Sequence, residues 1–116
     1  MAKEDVFLDT EIPYVRLCER RWRPLKTRSS ERDVPLVGAA LWAATKAFEN
    51  SPNEYLFPRY CLDDECKADC ASNTLNKWMK PYVPEGSVIH SFRHSLRNRL
   101  RACECPSDII DQIGGW

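Results

Sequence analysis

The sequence lacks a net charge, a long apolar run and an apolar N-terminal segment. Its 17 basic and 17 acidic residues give a formal net charge of +0 at pH 7. That balance argues against a general nucleic-acid binder, because such proteins usually carry an excess of positive charge. No apolar run reaches the ~20 residues that a membrane-spanning helix needs. The opening stretch, MAKEDVFLDT, has no signal-peptide core, so we expect a cytoplasmic protein without a membrane partner.

Apolar residues are also scarce. The chain has 116 residues, of which 43% are hydrophobic, so it is long enough for one domain, residues 1–116, with a thin core. Four Trp, four Tyr and four Phe residues would have to provide much of the buried area.

The cysteines raise the question of a metal site. In a reducing cytoplasm we expect free thiols that pack as small apolar groups, without metal and without disulfides. The set Cys61-x4-Cys66-x3-Cys70 could supply zinc ligands, but it departs from the usual C-x2-C pairs and has no histidine nearby. A zinc-stabilised nucleic-acid module is therefore the distant alternative. The six cysteines are Cys18, Cys61, Cys66, Cys70, Cys103 and Cys105.

The N-terminal third has the alternation that is typical of strands. Two short alternating runs, at residues 6–9 and 12–18, predict strands that are separated by turn-forming residues and Pro13. A charged stretch follows, and residues 34–36 predict a short return strand of a hairpin. Residues 51–70 resemble a loop with an apolar insert at 55–57.

Helical periodicity dominates the remainder. A helix is predicted from Gly38, with Leu41, Ala44 and Phe48 on one side. Ser72 is a candidate N-cap for a second helix that ends before Pro81. A third helix is predicted over residues 90–103, and Pro106 opens a fourth that ends at glycines. The expected class is α+β, with a small antiparallel sheet or hairpin at about residues 5–36 and about four helices over 38–116.

The third helix carries two distinct faces. At about 100° per residue, an apolar stripe lies opposite a cationic one, with Arg93 on the border. The apolar stripe consists of Ile89, Phe92, Leu96, Leu100 and Cys103. The cationic stripe consists of His90, His94, Arg97 and Arg101. The segment from Ser87 to Cys103 contains no acid, and the apolar stripe would explain how the helix packs without explaining the cations.

The spacing of His90 and Arg93 suits a phosphate. Side chains three residues apart on a helix can converge on one point. A guanidinium matches two phosphate oxygens with parallel donors, and an imidazole can donate to a third oxygen or exchange a proton near neutral pH. The alternative is a solvated basic face, which is common for charge runs on helices.

Two sequence blocks together resemble the catalytic domain of the tyrosine recombinase (phage integrase) family. One is H-x-x-R-H on a helix, followed by a short helix that ends in Gly-Gly-Trp. The other is the hairpin RPLKTRSSERDVPL, and the resemblance extends from about Asp5 to Trp116. It implies part of a DNA breaking-rejoining fold, and a parent protein that integrates or recombines the DNA of a mobile element in a bacterial or phage-host cytoplasm.

The resemblance implies a role for each matched residue. Lys26 would be the general acid that protonates the leaving 5′-hydroxyl, and His90 would assist proton transfer. Arg93 would clamp the scissile phosphate. Trp116, where the family usually has histidine, would donate to a non-bridging oxygen. Such a site needs no metal, cofactor or small-molecule substrate; further DNA-backbone contacts are expected from Arg97 and Arg101.

Two parts of the family pattern have no counterpart in the sequence. The first catalytic arginine would precede Met1, and the nucleophilic tyrosine would follow Trp116. The tyrosines, which are Tyr14, Tyr55, Tyr60 and Tyr82, all precede the H-x-x-R helix. We therefore expect a fragment that forms no phosphotyrosine alone, or alternatively a non-catalytic DNA-binding or oligomerisation module derived from such an enzyme. Self-association is expected through large apolar residues left bare, with Trp22, Trp42, Phe48 and Trp78 as candidates.

Overall fold

An antiparallel sheet opens the chain. In this computed structural model, which describes residues 1–25, 30–62 and 65–115, the sheet has three strands in the order β1-β2-β3. They are β1 Val6–Phe7, β2 Tyr14–Leu17 and β3 Arg32–Pro35. The structure divides into two compact units, Met1–Cys66 and Lys67–Trp116.

The register of the sheet aligns apolar residues around Val15 and a charged pair at Arg16 and Asp33, whereas Leu17 lies opposite Arg32. Val15 of β2 lies opposite Val6 of β1 and Val34 of β3. The Phe7 and Tyr14 rings stack with centroids 4.6 Å apart. Strand β1 ends two residues before the predicted position, and in the bend that follows the Thr10 hydroxyl donates to the Ile12 carbonyl at 2.9 Å.

Helix α1, Gly38–Asn50, covers one apolar cluster of the first unit. As predicted, Leu41, Ala44 and Phe48 lie on the packed side of this helix. They contact a buried group consisting of Val6, Leu36 and Leu56. The helix therefore ties the sheet to the segment that follows it.

The segment predicted as a loop contains a second, smaller pairing. Strand β4, Cys61–Leu62, pairs antiparallel with β5, Glu65–Cys66. The expected apolar insert is divided, since Tyr55 and Leu56 are buried whereas Phe57 is exposed. Main-chain hydrogen bonds join this insert to the chain start: Lys3 N donates to Glu54 O at 2.7 Å, and Leu56 N donates to Met1 O at 3.0 Å.

Asp5 is the fully buried charged residue of the first unit. Its Oδ1 accepts from Arg20 Nη2 at 2.6 Å and its Oδ2 accepts from Arg23 Nη2 at 3.0 Å. The Cys18 thiol donates to Oδ1 at 3.6 Å, and Arg23 Nε donates to the Cys18 carbonyl at 3.0 Å. Burial acts to raise the pKa of Asp5, but the Arg20 hydrogen bond and the two guanidinium charges outweigh it and lower that pKa.

The second unit consists of helices α2, Ala68–Met79, α3, Ser91–Ala102, and α4, Ser107–Gly114. The prediction that Ser72 caps α2 is wrong, because the helix begins at Ala68 with Lys67 at the N-cap. Asp69 lies in the first turn, where a negative charge is favourable beside the exposed main-chain N–H groups. The other boundary is confirmed, since α2 ends at Met79, ahead of Pro81.

The described residues form the expected α+β arrangement, a small antiparallel sheet followed by four α-helices. Within residues 1–25, 30–62 and 65–115, no helix combines the length and apolar character required to cross a bilayer. That all 116 residues form one domain remains a prediction.

Asp5 and Asp33 allow a matched test of buried and exposed ion pairs. Asp33 accepts two hydrogen bonds from Arg16, but both side chains are nearly half exposed. We expect Asp5→Asn to lower the free energy of unfolding by about 3 kcal/mol, because it removes the buried carboxylate that pairs with Arg23 and leaves Arg20 only its ion pair with Glu4. Asp33→Asn should lower it by at most about 1 kcal/mol. Urea denaturation followed by circular dichroism measures both, and equal effects would contradict the assignment.

The Asp5 carboxylate also makes the stability of the fold depend on pH. Its folded-state pKa lies below the usual value near 3.8, so its contribution to stability is complete above that value. The contribution is lost as the pH falls through the lower, folded-state pKa. We expect this acid-dependent loss of stability in the unmodified chain to be smaller in Asp5→Asn.

Candidate nucleic-acid interface on helix α3

Helix α3 is fixed at both ends by main-chain and side-chain hydrogen bonds. At its start, Ile89 N donates to Asn76 Oδ1 of α2 at 2.6 Å, and Val88 N donates to Ser91 Oγ at 3.1 Å. At its end, Glu104 has a left-handed backbone with φ 55°, and Cys105 N donates to Leu100 O at 3.0 Å. This closure satisfies carbonyls that a helix end would otherwise leave open. The predicted helix over residues 90–103 is thus observed as Ser91–Ala102, with His90 at the N-cap.

Arg93 joins α3 to the end of α4. Its Nη1 donates to Gly114 O at 2.6 Å and its Nη2 donates to Gly115 O at 3.2 Å. Gly115 has a left-handed backbone and donates its N–H to Asp111 O at 2.7 Å, which ends α4. The last carbonyls of a helix carry partial negative charge, so a guanidinium is a favourable partner for them. The residue predicted to clamp phosphate therefore also holds the end of α4.

Arg97 points to the same helix. Its Nη2 lies 3.5 Å from Asp111 Oδ1, with both side chains partly exposed. The contact between α3 and α4 thus includes charged side chains, although the sequence assigned packing to the apolar stripe.

Part of that apolar stripe is exposed to solvent. Phe92 is 58% exposed and Leu96 is 43% exposed, whereas Leu100 is half-buried. The expectation that the apolar stripe explains how α3 packs therefore holds only in part, for the half-buried Ile89 and Leu100. The packed side of α3 is rotated towards Arg93 because α4 presents carbonyl oxygens there, and only a polar donor can satisfy them.

The exposed basic side chains lie along the other side of α3. His90, His94 and Arg101 are exposed, and the two imidazole rings meet edge to face with centroids 5.4 Å apart. From His90 to Arg101 the stripe extends about 16 Å along the helix axis. At about 100° per residue, Arg99 is on the opposite side and is also exposed. The helix therefore offers two exposed arginines that differ in the side they occupy.

Two of the four predicted catalytic residues lie in the described part of the chain. His90 and Arg93 are one turn apart, and Arg93 N donates to His90 O at 3.0 Å. Lys26 and Trp116 lie outside the described residues. The predicted grouping of all four around one phosphate thus stays a prediction.

Several contacts of the site have no signal in the sequence patterns. Asp111, which faces Arg97, was identified only as part of a short helix. The carbonyls of Gly114 and Gly115 carry no side-chain signal, although glycines after a helix do indicate that its last carbonyls need donors. Across the described ranges, no three His, Cys, Asp or Glu side chains form a group that could hold a metal ion.

Comparisons of the chain with protein-family models, curated proteins and solved structures find no match. The function of the chain is therefore inferred from the chemistry of α3 and from the resemblance of the two sequence blocks.

Substitution of Arg93 tests its structural contact. Arg93→Ala removes two charge-assisted hydrogen bonds, each contributing roughly 1.5–3 kcal/mol, so the last turn of α4 should open more often. We expect faster amide hydrogen exchange at Gly115, whose N–H donates a hydrogen bond to the Asp111 carbonyl. Arg93→Lys should give an intermediate rate, because an ammonium keeps the charge but cannot donate from two fixed nitrogens. Arg99→Ala is the control and should leave that amide unchanged; equal rates in all variants would exclude this role.

Proposed function

We propose that this chain is part of a tyrosine-recombinase catalytic domain, in which α3 contacts the phosphate backbone of DNA at a recombination site. The observation that carries the proposal is the cationic stripe: His90, His94 and Arg101 are exposed along one side of a helix. The sequence from Ser87 to Cys103 contains no acid, although Arg97 of the same stripe pairs with Asp111 of α4.

The zero net charge of the chain is compatible with this interface. Charges more than about 10 Å apart in solution are largely screened at ordinary ionic strength. A phosphate that touches α3 therefore responds to the cations of α3 more than to acids elsewhere. Each cation that neutralises a phosphate releases a condensed counterion, which favours binding at low salt.

The basic residues would have separate tasks at the DNA. His90 and Arg93 would contact the scissile phosphate, with Arg93 positioned by the end of α4. Lys26 would protonate the leaving 5′-hydroxyl and Trp116 would donate to a non-bridging oxygen. Backbone contacts would come from Arg101, and from Arg97 together with its Asp111 partner.

Strand exchange belongs to the complete recombinase in this proposal. All four tyrosines precede α3 in the sequence, so the activity proposed for this chain is phosphate binding, without a covalent step. No cofactor, metal or small-molecule substrate is part of it. The setting would be the cytoplasm of a bacterium or phage host.

Two arginines of α3 allow a test in which each variant loses the same positive charge. We expect Arg101→Ala to weaken binding to a fluorescein-labelled DNA duplex, measured by anisotropy between 50 and 200 mM salt. The slope of log K against log[salt] should become shallower by about 0.9, the value for one lost phosphate contact. Arg99→Ala removes the same charge from the opposite side and should have a smaller effect.

Two results would refute the DNA interface. Binding that does not depend on salt would exclude phosphate contacts by α3. Equal losses in the Arg101 and Arg99 variants would indicate only a general charge effect, with no particular side of the helix in contact.

A second candidate function is a non-catalytic module that self-associates. The observation that favours it lies on α2, where Trp78 is 65% exposed and its ring lies 5.6 Å from that of exposed Tyr82. Adjacent exposed aromatic rings are typical of surfaces that bind another protein. Of the four residues expected to be bare, Trp42 is also exposed, at 67%, whereas Trp22 and Phe48 pack against apolar clusters.

The self-association proposal names a second copy of the chain as the partner. We expect sedimentation velocity at micromolar concentration to reveal a dimer or larger species. Trp78→Ser should shift the distribution towards monomer, because it removes the larger ring of the aromatic pair. Ile12→Ser, which removes an exposed apolar side chain outside those four candidates, is the control and should leave the distribution unchanged. A monomer at all concentrations would rule out the proposal.

A further inference from the structure

Cys61 and Cys66 face each other across the hairpin β4–β5. They are directly opposed residues of an antiparallel pair, and both are free thiols. Opposed Cα atoms in antiparallel strands lie about 4.5 or 5.5 Å apart. Both separations fall within the ~4.4–6.8 Å that a disulfide spans, so the backbone separation of the two cysteines allows a disulfide.

The two thiols differ in their access to solvent. Cys61 is buried in a cluster with Ala2 and Tyr55, against which Trp22 and Cys66 also pack. Cys66 is only half-buried, so a small reagent can reach its sulfur first. The pair thus has one accessible member and one enclosed member.

The environment keeps Cys66 protonated at neutral pH. Burial, together with the hydrogen bond and charge of Cys61, raises its pKa to about 11. The thiolate is the reactive form of cysteine, so the pair is stable as two thiols until the pH or the oxidant concentration rises.

We propose that Cys61 and Cys66 form a reversible redox modification site that closes to a disulfide in the presence of a small-molecule disulfide. The Cys66 thiol loses its proton and its sulfur attacks the small disulfide, releasing one small thiolate, which takes up that proton. The Cys61 thiol then loses its proton and attacks Cys66 sulfur in the mixed disulfide, releasing the second small thiol. Two protein thiols are oxidised and one small disulfide is reduced to two thiols, so electrons and protons balance.

Closure would change the first unit. Because Cys61 belongs to the buried cluster, a bond to Cys66 would fix β5 to that cluster through a covalent link as well as through main-chain pairing. The pair lies outside the proposed DNA interface and does not depend on it.

Trypsin makes the modification directly measurable. Cleavage after Arg59 and Lys67 releases residues 60–67 as one peptide that contains both thiols. The whole folded chain is incubated with oxidised glutathione and its remaining thiols are blocked with an alkylating reagent. The chain is then digested with trypsin and the peptide masses are measured by mass spectrometry. We expect peptide 60–67 to become two hydrogen atoms lighter and to escape alkylation. The rate should rise with pH, because the thiolate fraction of Cys66 rises with pH.

The chain supplies an internal comparison. Cleavage after Arg101 releases residues 102–116, which contain Cys103 and Cys105 on either side of Glu104. This second pair is not held face to face by a strand pairing, so it should oxidise more slowly than peptide 60–67. Dithiothreitol should restore both masses.

Variants separate ring closure from simple thiol reactivity. Cys61→Ser should leave Cys66 as a lasting glutathione adduct, whereas Cys70→Ser should oxidise at peptide 60–67 like the unmodified chain. Circular dichroism confirms that each variant is folded. Three results would overturn the proposal: a reduced peptide 60–67 after peptide 102–116 has oxidised, a lasting Cys66 adduct in the unmodified chain, or a cross-link from Cys66 to any cysteine but Cys61.

Discussion

The buried carboxylate of Asp5 is the constraint on which the first unit depends. A carboxylate without solvent is stable only if donors surround it, and here Arg20 and Arg23 supply them from the segment after β2. Arg23 also donates to the Cys18 carbonyl, so one guanidinium fixes both the acid and the main chain at the end of the sheet. This cluster therefore determines where the residues between β2 and Trp22 lie, and Trp22 in turn packs on the second apolar cluster of the unit.

The second unit uses the same chemistry for a different purpose. The guanidinium of Arg93 satisfies main-chain carbonyls at the end of α4, and that of Arg97 faces Asp111. In a unit with so few buried apolar side chains, polar contacts of this kind fix how two helices meet. The basic side chains that remain exposed on α3 thus lie on a helix whose orientation to α4 is fixed. A phosphate interface requires side chains that are held by such a rigid element.

Sequence patterns predicted the class of the fold and most helix boundaries, because these depend on local periodicity and on residues such as Pro81 and Pro106. They missed the hairpin β4–β5, since strands of two residues each show no alternation. They also placed the packed side of α3 on the apolar stripe. The true side includes Arg93, because its partners are main-chain carbonyls of another helix and no side-chain pattern reveals them. Of the candidate site, the exposure of His90 and Arg101 agrees with the cationic stripe, whereas Lys26 and Trp116 lie outside the described residues.

The bridge between Ala2 and Tyr55, with its flanking hydrogen bonds from Lys3 and Leu56, has a kinetic consequence. The segments it joins come from opposite ends of the first unit, so the entropy lost on closing the intervening chain opposes their pairing. Local elements such as α1 can form before that closure, whereas the cluster around Ala2 cannot. On a ribosome, the segment around Ala2 would therefore remain unpaired until the segment containing Tyr55 had left the exit tunnel, so this pairing would be among the last contacts of the first unit to form.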